Sequence, residues 1–152
     1  MNLKHIIISA SVVALGVLSI NAIKKGEPKD TLDKRKFTVT MTEIKDGGPP
    51  KKGVEDEIEF KGGKFFSDVI YEKHQQSWTK YEIIKDSTYT DEEQNENHYT
   101  EAEISKTDDS DQTITIKCVV DNYDISGEVK ITKKDKLKKK YEFIGKEKPK
   151  KK

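Results

Sequence analysis

Between Gln112 and Ile131, apolar side chains recur at nearly every second position: Ile114, Ile116, Cys118 and Val120, then Tyr123, Ile125, Val129 and Ile131. Side chains alternate between the faces of a strand with period two, and no helical stripe fits this spacing as well. A tight turn at Asp121-Asn122 predicts that Val120 faces Tyr123, Cys118 faces Ile125, Ile116 faces Gly127 and Ile114 faces Val129. Both apolar rows then lie on one side of a half-buried antiparallel hairpin.

The alternation continues elsewhere. Phe37, Val39 and Met41 interleave with Thr38, Thr40 and Thr42, and the Gly- and Pro-rich stretch from Asp46 to Gly53 reads as a long loop. Ile58 and Phe60 lead into Lys61-Gly62-Gly63-Lys64, and Phe65, Ser67 and Val69 carry the pattern on. Gly-Gly supplies the two positive φ angles of a type I′ turn, which sets Phe60 across from Phe65 and Ile58 across from Ser67. Glu72 to Ser77 reads as a connection and Trp78 to Lys85 as a strand through Tyr81 and Ile83. Asp86 to Asn97 reads as an acidic loop or a short edge strand around Tyr89. Thr100, Ala102 and Ile104 mark the next strand, and a turn centred on Asp109 pairs Ile104 with Ile114. Tyr141 and Phe143 mark the last strand.

Roughly eight strands at short spacing, joined mostly by hairpins, predict an all-β antiparallel meander. Such a sheet protects its edges by closing into a barrel or by folding over as a two-sheet β-sandwich. In a barrel, Phe60, Ile83, Ile116, Val129 and Phe143 point inward, where they either fill the interior or line a pocket.

The first residues change the picture of where this domain works. Lys4 and His5 precede an uncharged run from Ile6 to Ile20, with Asn21-Ala22 before the dense charge at Lys24-Lys25. This is the layout of a secretory signal over residues 1–22, cut after Ala22. The apolar run is about 15 residues, short of the roughly 20 that a spanning helix needs, although an uncleaved membrane anchor is the competing reading. The protein is therefore expected to be secreted or periplasmic. Residues 23–36 form a flexible leader, residues 37–145 a single β domain, and residues 146–152 a lysine-rich tail.

Three segments carry a resemblance: Asp56-Glu57-Ile58-Glu59-Phe60-Lys61-Gly62-Gly63-Lys64-Phe65, Ile125-Ser126-Gly127-Glu128-Val129 and Tyr141-Glu142-Phe143-Ile144-Gly145-Lys146. Set in an up-and-down meander behind a secretion signal, they resemble small secreted lipocalin-like proteins of bacteria. The resemblance implies an eight-stranded barrel and non-covalent binding of a small, partly apolar ligand inside it. The Gly-x-Trp of lipocalins proper does not stand near Phe37 to Ile44, and the single tryptophan, Trp78, lies mid-chain. A second function of a different class is an interaction or structural module of the cell envelope, with a filled core and no ligand.

Candidate chemistry is sparse, and no enzyme is expected. There is no Gly-x-Ser-x-Gly elbow, no nucleophile motif around Cys118 and no Gly-rich phosphate loop ahead of a helix. Cys118 falls in an apolar row and reads as a small core residue. His74 and His98 stand in polar surroundings and ligate a metal only if folding unites them. Asp108, Asp109 and Asp111 crowd one turn, as Asp91, Glu92, Glu93 and Glu96 crowd a loop, but neither cluster has the central glycine and closing glutamate of a calcium loop. No catalytic residue, metal ligand or cofactor is assigned.

Removing Lys4 with the signal leaves 28 basic against 28 acidic residues, and the charges are segregated. Asp86 to Asp111 holds ten acidic residues and one lysine; Lys130 to Lys152 holds twelve lysines and three acids. The blocks can attract each other across the fold, and the lysine tail can touch an anionic envelope surface. A near-neutral mature chain whose tail lacks arginine argues against nucleic acid as a partner.

Overall fold

A computed structural model describes residues 30–150. The expected signal over 1–22, most of the leader and residues 151–152 lie outside the described residues. The elements are β1 (Lys36–Ile44), β2 (Val54–Lys61), β3 (Lys64–Ser67), α1 (Asp68–His74), β4 (Thr79–Thr90), β5 (Glu96–Thr107), β6 (Gln112–Asp121), β7 (Asp124–Lys133) and β8 (Lys136–Glu147). Each strand pairs antiparallel with the next, and β8 returns to pair with β1, closing an eight-stranded barrel. Closure removes the free edges that a two-sheet sandwich would keep.

The closing seam runs from Phe37 opposite Glu147 to Ile44 opposite Lys140. It needs glycine at 145, because a Cβ there would collide with the carbonyl oxygen of Thr38 and crowd the Cα of Val39. Followed around the ring, the pairing comes back to β1 displaced by about ten residues, which tilts the strands steeply across the barrel axis.

Inside, alternate residues of the strands pack together, β4 contributing only Tyr81. Phe37, Ile58, Phe60, Ile104, Ile116 and Val129 keep none of their surface exposed. Phe60 is the hub: the rings of Tyr81, Phe65 and Phe37 meet it edge-on at 5.2, 5.5 and 6.0 Å, the geometry that the aromatic quadrupole favours. Phe143 occupies the space opposite Gly127, where a Cβ would strike its ring. Cys118 is buried as expected, and burial pushes its thiol up to about 12.

Both ends of the barrel are stoppered. At the end where β1 begins, Leu32 is fully buried, and the Arg35 guanidinium lies 5.1 Å from the centre of the Phe37 ring and 2.6 Å from Glu147. The last part of the expected leader is thus docked on the barrel. At the other end α1 crosses from β3 towards β8, burying Val69 and Ile70, and His74 Nε2 reaches the Tyr141 hydroxyl at 3.1 Å.

The helix starts where it does because its first N–H groups find acceptors. Ser67 Oγ accepts from Ile70 N–H at 3.1 Å and donates to Asp56 at 2.7 Å, while Asp56 also accepts from Val69 N–H at 3.0 Å. Val69 therefore belongs to α1 and does not continue the preceding strand.

Three further expectations are corrected. The acidic stretch from Asp86 to Asn97 is mostly strand, since β4 and β5 form a long hairpin that turns only at 91–95. The turn between β6 and β7 sits at Asn122-Tyr123, so Val120 faces Ile125, Cys118 faces Gly127, Ile116 faces Val129 and Ile114 faces Ile131. Likewise Ile104 faces Ile116. Each is a slip of two residues, which preserves the face that every side chain occupies.

Candidate functional site

Of the five residues expected to point inward, Phe60, Ile116, Val129 and Phe143 are buried. Ile83 is 37% exposed. A bulge between Ile83 and Lys85 inserts Ile84 into β4 and shifts the register there.

The two histidines are not brought together. His74 is half-buried against Tyr141, and burial together with Lys139 and Lys73 holds its imidazole below the usual range. His98 lies 2.6 Å from Asp86, whose carboxylate also accepts from Thr100 at 2.9 Å and from Thr31 at 3.3 Å. Both hydroxyls bond the carboxylate, so neither is aligned for activation by the imidazole.

The acidic turns are self-satisfied. Asp108 accepts from Ser110 N–H, Ser110 Oγ and Gln112 N–H, and these bonds hold its carboxyl below the ordinary value. Asp91 does the same with Asn97, Asn95 and Glu93. Among the described residues no group of three or more His, Cys, Asp or Glu side chains is arranged to hold a metal.

The acidic and basic blocks meet at one turn, where Lys134 N–H donates to the Asp111 carbonyl at 3.2 Å and Lys133 helps lower the Asp108 carboxyl. The last strand extends to Glu147, so the tail is shorter than expected, and Lys148 is bonded to Glu57.

What distinguishes one part of the surface from another is how its charges are paired. On the outward face of β5 to β8, Glu103 sits opposite Lys117 at 3.5 Å, and Glu128 is bonded to Lys130 at 2.7 Å and to Lys140 at 3.5 Å. An open depression of about 850 Å³ borders this face, with Ile84, Val119 and Ile144 on its walls. Its carboxylates are already engaged, Glu101 by the Tyr99 hydroxyl at 2.7 Å and Glu142 by Lys140 at 3.1 Å.

The outward face of β2, β3 and β4 is built differently. Lys61 stands directly opposite Lys64, and Lys64 directly opposite Lys80. All three are exposed, and none has a carboxylate within 4.0 Å among the described residues. Glu59, two positions along β2, is engaged by Lys36 at 2.9 Å. Beside the lysines lies an aromatic row. Phe66 and Trp78 stack with centroids 5.1 Å apart, and Tyr71 of α1 closes on Phe66 at 5.6 Å. Trp78 is 38% and Tyr71 45% exposed.

Sequence reading missed this face. Lys61 and Lys64 were legible as hairpin flanks, but Trp78 and Lys80 reach them only through the β3–β4 pairing, which the helix between those strands conceals. No family model, curated protein or solved structure matches the chain.

Proposed function

We propose that this chain is an envelope-facing interaction module without enzymatic activity, exported by its N-terminal apolar run and working through the outside of a filled barrel. The observation that carries this reading is the near-complete burial of the inward side chains from Leu32 at one end to Ile70 at the other, with β4 beyond Tyr81 the exception. A wall residue of any cavity that admits water keeps accessible surface, and a pocket for an organic ligand needs roughly 300–1,000 Å³. A ligand inside the barrel, the alternative that the lipocalin-like resemblance implies, would have to displace Phe60 and the three rings around it.

Native mass spectrometry of protein purified gently from the medium or envelope fraction tests the reading, paired with a thiol reagent directed at Cys118. The expected result is the mass of the chain alone, unchanged by a panel of apolar ligands, with Cys118 unlabelled until denaturant is added. A small molecule retained with the chain, and released when Cys118 becomes reactive, would overturn it.

A further inference from the structure

We infer that the outward face of β2, β3 and β4 docks on the surface of an anionic lipid bilayer, its lysine row against the headgroup phosphates and its aromatic row at the interface. This names the partner of the surface module proposed above and rests on that reading.

The first support is the lysine row itself. Like charges directly opposite on a sheet repel and lower stability, yet Lys61, Lys64 and Lys80 occupy three successive strands with no carboxylate between them. Cations left unpaired in this way, as Lys133 opposite Lys136 also is at the β7–β8 turn, are complementary to an external anionic surface.

The second support is what stands next to them. Trp and Tyr have an apolar body and a polar tip and settle at the headgroup level of a membrane, and lysine stems extend alongside them to the phosphates. Phe66 and Trp78 turn one ring face towards each other, at an interplanar angle of 28°. Fewer free ring faces then remain for stacking bases, so the pair suits burial in an interface better than the grip of a nucleic acid.

The aromatic row is also preorganised. Gln76 is buried, with its Nε2 donating to Thr79 Oγ1 at 3.2 Å, and Thr79 Oγ1 donates to the Ser77 carbonyl at 2.9 Å, so the loop that carries Trp78 is fixed on both sides.

The third support is where the chain enters. Gly62 N–H, in the turn between Lys61 and Lys64, donates to the Asp33 carboxylate at 2.7 Å. The lysine turn is thereby fastened to the first described turn of the domain. Ten residues separate that turn's Thr31 from Ile20, the end of the apolar run. In an anchored form this face is within a short tether of the bilayer.

Trp78 is the only tryptophan, so its fluorescence reports on this face alone. The full chain is mixed with neutral phosphatidylcholine vesicles, which control for insertion of the apolar run, and with vesicles one-third phosphatidylglycerol. With the anionic vesicles only, Trp78 emission should shift to the blue and be quenched by brominated lipid. Salt at 1 M, where the Debye length is about 3 Å, should reverse both.

The K61Q/K64Q/K80Q variant removes repulsion, so its fold should be preserved. Its docked-to-undocked ratio should fall about 100-fold, from roughly one surface charge interaction lost per lysine. Equal Trp78 responses to the two vesicles would overturn the inference. So would undiminished docking of the triple variant, or loss of docking only when Lys150–Lys152 is deleted. An equal blue shift with soluble polyphosphate would replace the bilayer by a polyanion. A vesicle-inert protein that carries no ligand sinks the bilayer and leaves the surface module standing, whereas a ligand held inside the barrel sinks the module itself.

Discussion

The wall formed by β5, β6, β7, β8 and β1 and the corner formed by β2, β3, α1 and β4 are parts of one barrel made on different terms. In the wall, ladders run long, ten pairs between β6 and β7 and eight between β8 and β1, and Glu103 and Glu128 bridge to lysines on neighbouring strands, although Lys133 faces Lys136 at the β7–β8 turn. At the corner β3 has four residues and meets β4 through two pairs, and lysine faces lysine. The wall holds the fold by ladder and packing. The corner substitutes a capped helix and an aromatic hub for missing ladder, and leaves its surface charge unspent. On the proposed reading stability and recognition are divided between regions, and substitutions with opposite signs of effect distinguish them.

The largest effect should come from the wall. Gly145→Ala forces a Cβ into the backbone of β1, which cannot give way as a side chain would. A loss of about 3 kcal/mol or more is expected, measured by urea denaturation of the full chain, and a neutral result would mean that the β8–β1 seam is not the tight closure described.

Next comes the corner's internal support. Asp56→Ala leaves Ser67 Oγ–H and Val69 N–H without their acceptor in a buried place, at a cost of about 2 kcal/mol. Asp56→Asn keeps an acceptor and should cost much less. Burial pushes the Asp56 carboxyl above its ordinary value, against the pull of Ser67 and Val69. The folded state therefore holds this proton at a pH where the unfolded chain has released it. Its contribution to stability is greatest below the ordinary aspartate range and is lost as pH rises through the raised folded value. Measured from pH 3 upwards, the stability of the parent should fall relative to that of Asp56→Asn.

The smallest effects discriminate best. Lys117→Gln breaks a cross-strand pair with Glu103 and should lower stability by about 0.5 kcal/mol, whereas Lys64→Gln relieves repulsion on two sides and should raise it by about 0.5 kcal/mol. Thermal melts of both at low salt, repeated at high salt, check this. The same sign for the two variants would dissolve the distinction between wall and corner.

How much of this was legible in the chain depended on whether the deciding interaction was local. The β2–β3 register is correct because Gly62 and Gly63 take the positive φ angles, 58° and 72°, that a two-residue turn demands. At β6–β7 several polar residues compete for the turn, and the position taken is set by Asn122, whose side chain accepts from His98 N–H at 2.8 Å across the sheet. The apolar rows stayed on the right face because a slip of two preserves parity.

The helix escaped notice because seven residues give periodicity little to work on. Its one local signal was Ser67 as an N-cap followed by Asp68 in the first turn. The far half of the β4–β5 hairpin was hidden by its composition, since many of its outward residues are charged and an inward polar residue, Thr100, is held by its bond to Asp86 at 2.9 Å. The lysine–aromatic face was illegible for a different reason. It exists only once β3 and β4 are in register, and no pattern within either segment encodes that.

The pairing of β8 with β1 has a mechanical consequence. Because the strands are antiparallel neighbours, the start of β1 and the end of β8 leave the barrel side by side, with Lys148 N–H bonded to the Lys36 carbonyl at 2.8 Å. A pull applied between these two points loads the ladder one rung at a time, like a zipper opened from its end, instead of shearing all rungs together. A barrel closed in this way resists heat through its core yet yields to modest tension between its two leads, provided Arg35 and Glu147, the clasp at the first rung, let go.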